Sequence, residues 1–177
     1  MVNEMNNIII ILKLIISLFS FNIPLMLGLI PFLGISLIIR KYNKNLELVY
    51  LIFLFLSYIL GFVYDLYDII YYYDAIVHSL FGLVASIYAL PLLRILKKYN
   101  SKDKLFNVIF ILIVTLSSAA FWEIIEFTID KLFNSNMQIS LNNTMKDIIS
   151  ALLFSILYII IYLDKTNKID KLFINKN

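Results

Sequence analysis

One histidine and a handful of acids sit inside runs of otherwise apolar sequence. His78 follows Asp74 by four residues, Glu126 follows Glu123 by three, and Asp147 lies at the start of a further apolar run. Residues three or four apart share a helix face, so each pair can present two groups to a common point. One histidine with several carboxylates is a hard ligand set, suited to a divalent ion such as Zn, Mn, Mg or Fe. Cysteine is absent, which removes disulfides, thiolate metal sites and cysteine nucleophiles from consideration.

In that chemistry His78, Glu123 and Glu126 are the expected metal ligands. Asp74 orients His78 through its second ring nitrogen or ligates directly, and Asp147, or a glutamate left free, serves as general base. Plainer readings stand beside these. A lone histidine is more often a packing residue than a ligand, and Asp147 at a helix start reads equally as an N-terminal acid. Two glutamates on one face are harder to explain by solvation at a membrane boundary. Asp65, Asp68 and Asp130 read as solvated loop acids, although Asp130 lies four after Glu126. Trp122 reads as part of an aromatic belt and Lys13 as a snorkelling cation.

The elements that position these groups follow from composition. Hydrophobic residues make up 62% and charged residues 15% of the 177 residues, far from the roughly 45–50% and roughly 25% of a soluble domain. Apolar runs recur from Ile8 to Leu163 between short polar connectors. The first is too long for one crossing of about 20 residues, and Asn22-Ile23-Pro24 breaks it, because proline removes a backbone donor. The reading is an all-α membrane helical bundle, one integral domain over 1–177, with spans near 8–21, 24–39, 48–63, 74–93, 105–127 and 144–163. The first run has no basic segment before it and no small-residue cleavage site, so it is expected to be retained.

Orientation follows from the basic residues of the connectors. Arg40, Lys41 and Lys44, then Arg94, Lys97, Lys98, Lys102 and Lys104, then Lys165, Lys168, Lys171 and Lys176 fall on one side, twelve in all; the other side has Lys131 and Lys146. Both termini are therefore expected in the cytoplasm, which requires an even number of spans. Asp74, His78, Glu123, Glu126 and Asp147 all land at the extracytoplasmic end of spans four to six. The net charge of +3 is explained by this asymmetry and calls for no nucleic-acid partner. Gly82 lies one turn beyond His78, and Ser117, Ser118, Ala119 and Ala120 precede Glu123. Small residues let membrane helices approach closely, so Gly82 and Ala119 are expected to bring spans four and five together beside the acids.

At these residues the chain resembles the YjdF-like family of small inner-membrane proteins. The segments are Tyr73-Asp74-Ala75-Ile76-Val77-His78-Ser79-Leu80-Phe81-Gly82, Ser118-Ala119-Ala120-Phe121-Trp122-Glu123-Ile124-Ile125-Glu126-Phe127 and Asn143-Thr144-Met145-Lys146-Asp147. A weaker similarity, in the Asp-x-x-x-His element and the later acids, connects it to VanZ-like membrane proteins. The resemblance implies a multi-pass protein of the plasma membrane with Asp74, His78, Gly82, Glu123, Glu126 and Asp147 in family positions, and implies no particular reaction. Three functions stay open: a metal-dependent hydrolase or transferase acting on lipid-linked or envelope substrates, a proton or cation transporter whose pathway a homo-oligomer would complete, and a non-catalytic scaffold. Whether the protein is an enzyme stays open with them.

Overall fold

The computed structural model describes residues 23–174, with side chains from residue 32 onward. The expected span 8–21 and Lys13 lie outside the described residues. Among the described residues every regular element is helical, as a chain that must satisfy its own backbone in lipid requires. In order they are α1 (Ile23–Tyr42), α2 (Lys44–Leu54) continued by a π-helical segment (Phe55–Val63), the short α3 (Leu66–Ile69), α4 (Tyr73–Ile95), α5 (Lys104–Phe133) and α6 (Leu141–Ile169), which ends in a π-helical turn (Asp170–Ile174). Four stretches of the described chain are long and apolar enough to cross a membrane: Lys44–Val63, Tyr73–Ile95, Lys104–Phe133 and Leu141–Ile174.

Helix boundaries are set by caps. The Asn43 side chain accepts from the amides of Asn45 and Leu46 at 2.8 and 3.3 Å, Asp103 from Phe106 at 3.2 Å, and Ser140 from Asn143 at 3.2 Å. Each satisfies amides that have no partner inside their own helix. Apolarity marks the hydrocarbon, whereas caps mark where hydrogen bonding starts, so α5 and α6 overrun the expected 105–127 and 144–163. Asn134 ends α5 in a left-handed conformation, φ 53°, a common helix stop.

The chain divides into two compact units that meet in sequence at Tyr73 and Asp74. In the first, Leu51, Leu54 and Ile59 form a buried core with Phe32, Leu33 and Tyr58 against it. Glu47, fully buried in the first turn of α2, has Arg40 Nη1 at 3.9 Å. The Ser57 hydroxyl returns to the Phe53 carbonyl at 2.9 Å, a local bond that competes with the helical ladder where the π segment runs.

The second unit, residues 74–174, is turned inside out relative to a soluble bundle. In α5 the buried positions include Asn107, Thr115, Glu123 and Glu126, while Leu105, Ile109, Ile113 and Ile124 are exposed. Just 22% of the apolar window of α5 is buried, the pattern of a helix whose greasy side faces lipid. Three hydroxyls fix the register of α4, α5 and α6. Ser86 donates to Ser155 at 2.8 Å, Ser155 donates to Thr115 at 3.2 Å, and Thr115 lies 3.0 Å from Ser86. All three are 0% exposed, and the Ser86 hydroxyl also lies 2.8 Å from the Gly82 carbonyl, so its single proton is shared between that carbonyl and Ser155.

That ring places the rest. Counting four residues from it along each helix gives Gly82, Ala119 and Ala151, and counting eight gives His78, Glu123 and Asp147, about 12 Å from the ring at 1.5 Å per residue. The intervening layer is made of small residues. A Cβ added to Gly82 would land on the Ala151 backbone carbonyl, so the backbone that Gly82 meets belongs to α6, whereas the sequence pointed to the fifth span. Ala119 is buried in the same layer.

At the other end Asn107 Nδ2 donates to Tyr162 Oη and to the Asn100 carbonyl, both at 2.8 Å. Tyr99 donates its hydroxyl to Asp170; burial and that carboxylate push the Tyr99 phenol above its usual range, so it remains a donor. Lys165, with φ −119° and ψ 34°, interrupts the helical conformation of α6 near this end.

Replacing Gly82 by alanine is expected to destabilise the protein by about 1–3 kcal/mol, the usual cost of overpacking. Gly34→Ala, where nothing lies within 4 Å, should not destabilise. Thermal unfolding in detergent checks both, and equal melting of Gly82→Ala and the wild type would contradict the close approach of α4 and α6.

Candidate functional site

Asp74 lies in the first turn of α4 and His78 one turn further on; Glu123 and Glu126 lie two to three turns before the end of α5; Asp147 lies in the second turn of α6. His78, Glu123, Glu126 and Asp147 are buried, at 4%, 4%, 7% and 0% exposure. The Asp74 side chain keeps 30% of its surface and forms the open edge of the cluster.

His78 stands between acids from two helices. Its Nε2 is 3.4 Å from Asp74 Oδ1 and its Nδ1 is 3.9 Å from Glu123 Oε1. Both separations exceed a good N–H···O bond, so the imidazole is surrounded electrostatically without being closed off by either carboxylate. One ligand atom each of Asp74, His78 and Asp147 lies within 4.8 Å of the others. Opposite ligands on a small divalent ion stand roughly 4.4 Å apart, so small side-chain rotations would bring all three onto one ion.

Asn143, one turn before Asp147, clamps two of these acids. Its Nδ2 donates to Asp74 Oδ2 at 3.1 Å and to Asp147 Oδ2 at 2.6 Å. The two Oδ1 atoms are thereby left for other partners, and that of Asp147, although buried, accepts no hydrogen bond among the described residues. Both oxygens of Glu123 are likewise buried without a donor. Lys146 is close enough to attract Asp74 and Asp147. Buried acceptors without donors cost on the order of 1–3 kcal/mol each, and more when charged. A cation among Asp74, His78 and Asp147 would satisfy Asp147 Oδ1, while Glu123 lies outside the group whose ligand atoms fall within 4.8 Å of one another.

Asp74, His78 and Asp147 are the tightest group, Glu123 adjoins His78, and Glu126 turns to a partner of its own. Trp122 Nε1 donates to Glu126 Oε1 at 2.6 Å, and the Trp122 ring lies 6.4 Å from that of Phe81 on α4. Trp122 is thus a hydrogen-bond donor inside the cluster besides any place in an aromatic belt. Asp147 is not the cap of α6, because Ser140 holds that position. Asp130 accepts from Ser135 Oγ and from the amides of Met137 and Gln138 at 2.6–2.8 Å, which shapes the loop after α5 and leaves no role beside Glu126.

Asn143 and the hydroxyl ring escaped the sequence reading. The signal for Asn143 is its spacing of four before Asp147. For the ring it is the pattern His78-x3-Gly82-x3-Ser86, Thr115-x3-Ala119-x3-Glu123 and Asp147-x3-Ala151-x3-Ser155, one stripe on each helix.

Asn143→Ala removes the shared donor and leaves Asp74 and Asp147 facing one another. The expected loss is about 1–3 kcal/mol, read by thermal unfolding in chelator, and Asn143→Asp should cost at least as much because it adds a third carboxylate. Wild-type stability in both variants would contradict the clamp.

No curated protein matches the chain, and no solved structure matches it. Residues 7–167 match the family described as predicted membrane protein (DUF2238). That match covers α1 to α5, α6 as far as Asn167 and every residue of the cluster, and the chain belongs to this family of predicted membrane proteins.

Proposed function

We propose that Asp74, His78 and Asp147 bind one divalent cation, with Glu123 orienting His78 from its other nitrogen and Glu126, held by Trp122, adding negative charge alongside. The observation that carries this reading is the buried Asp147 Oδ1, which lacks a hydrogen-bond donor and belongs to the group whose ligand atoms, with those of Asp74 and His78, lie within 4.8 Å of one another. Zn, Mn, Mg and Fe all fit a mixed nitrogen and oxygen set. The partly exposed Asp74 gives the cluster an open edge, which suits a hydrolase or transferase working on a lipid-linked or envelope substrate, with Glu123 or Glu126 available to take a proton.

Transport is the less favoured reading. Gly82 is pressed against the Ala151 carbonyl directly beneath the cluster, and four residues beyond the hydroxyl ring Leu90, Ile111 and Ile159 are buried apolar side chains. A site with a closed floor supports chemistry at one face over passage across. A scaffold role would leave the cluster free of metal.

The wider setting is part of the proposal: a multi-pass protein of the plasma membrane, YjdF-like within its family, with six crossings and both termini cytoplasmic. The twelve basic residues on one set of connectors support that orientation. Because the chain has no cysteine, single substitutions report cleanly. In intact cells Asn136→Cys should react with a membrane-impermeant maleimide and Ser101→Cys should react only after lysis; the reverse pattern would invert the topology.

Metal analysis tests the site itself. Protein purified without chelator should carry one divalent ion per chain, lost in His78→Ala and Asp147→Asn, while Glu123→Gln should weaken binding about 10–100-fold. In chelator Glu123→Gln should melt above the wild type, because it removes a buried charge that has no donor, and saturating metal should reverse that order. Wild-type protein without metal, or metal retained in a His78→Ala/Asp147→Asn double variant, would overturn the proposal.

A further inference from the structure

At the end of the second unit opposite the acid cluster, the α4–α5 connector and the last turns of α6 flank an open surface cleft of about 750 Å³, lined in part by Ser101, Lys102, Lys104, Lys165, Asn167 and Lys168. Four lysines converge there against a single acid, Asp164. None of the four pairs with a carboxylate among the described residues. Lys104 Nζ donates to the Leu163 carbonyl at 3.0 Å, just before the interruption of α6 at Lys165. Charge asymmetry for topology would be met by lysines scattered over the connectors. It does not require four of them around one concavity.

We infer that this cleft holds the phosphate headgroup of an anionic phospholipid. The charge sign fits, with ammonium donors on both walls and the Ser101 hydroxyl on the connector wall. The position fits as well: Leu105, 73% exposed, adjoins Lys104, and Ile160, 58% exposed, lies one turn from Leu163 and Asp164. These apolar residues give acyl chains a surface beside the headgroup. A soluble anion would have no use for that surface, and clustered lysines near a membrane face attract anionic lipid.

The test is native mass spectrometry of the full-length protein extracted from vesicles of equal phosphatidylcholine and phosphatidylglycerol. Wild-type protein should retain one phosphatidylglycerol per chain. Lys102→Gln/Lys168→Gln, which leaves the Lys104 bond to Leu163 intact, should lower that retention at least about tenfold. Lys97→Gln/Lys98→Gln, the same charge change outside the cleft, should leave it unchanged. Equal loss in both double variants would mean diffuse attraction and would overturn the site. So would equal retention of phosphatidylcholine, or displacement of the lipid by inorganic phosphate that sodium chloride of equal ionic strength does not cause. The acid cluster and its metal content should not respond to either lysine pair.

Discussion

An ionisable side chain within a helix that faces lipid costs at least about 2.5–3.5 kcal/mol near the bilayer centre, and the second unit is organised around that constraint. His78, Glu123, Glu126 and Asp147 can be carried on apolar helices because all four turn inward, away from the exposed Ile and Leu of α5 and α6. Turning inward removes them from lipid and from water alike. Their partners must then come from each other, from Asn143 and Trp122, and, on the proposed reading, from a divalent ion.

Convergence on one point requires three helices in fixed register. The Ser86, Thr115 and Ser155 ring supplies the register, and the small layer of Gly82, Ala119 and Ala151 lets the backbones close beneath the cluster. Interhelical hydroxyl bonds in membrane proteins are individually modest, but three mutually adjacent hydroxyls, one from each helix, have a geometry that one-residue slippage of any helix would break. The functional groups sit on helices and not on loops, two turns from that ring, so their spacing is inherited from the helix repeat.

The chain's apolar runs made the helices legible in the sequence, and the i, i+4 spacing of Asp74 and His78 and the i, i+3 spacing of the glutamates made the candidate residues legible. Those patterns are local, and helical geometry converts them directly into shared faces. What was not legible is which groups pair across helices. Gly82 was expected against the fifth span and meets Ala151; Asn143 bridges two acids from different helices; Trp122 gives its indole proton to Glu126. Those choices depend on helix rotation, which apolar residues all round a span leave unspecified. Helix ends were also missed, because Ser140 and Asp103 cap outside the apolar runs from which the spans were drawn.

The unit thus has two polar ends of opposite character, acids around an imidazole at one and lysines around a cleft at the other, separated by a hydroxyl ring and an apolar layer. The central claim concerns the acid end, and the most direct measurement is pulsed electron paramagnetic resonance of protein loaded with one Mn²⁺. A single imidazole nitrogen coupled to the ion, present in the wild type and absent in His78→Gln while Asn143→Ala retains it, is the predicted result. A bound ion with no nitrogen coupling, or a coupling that survives in His78→Gln, would contradict the account.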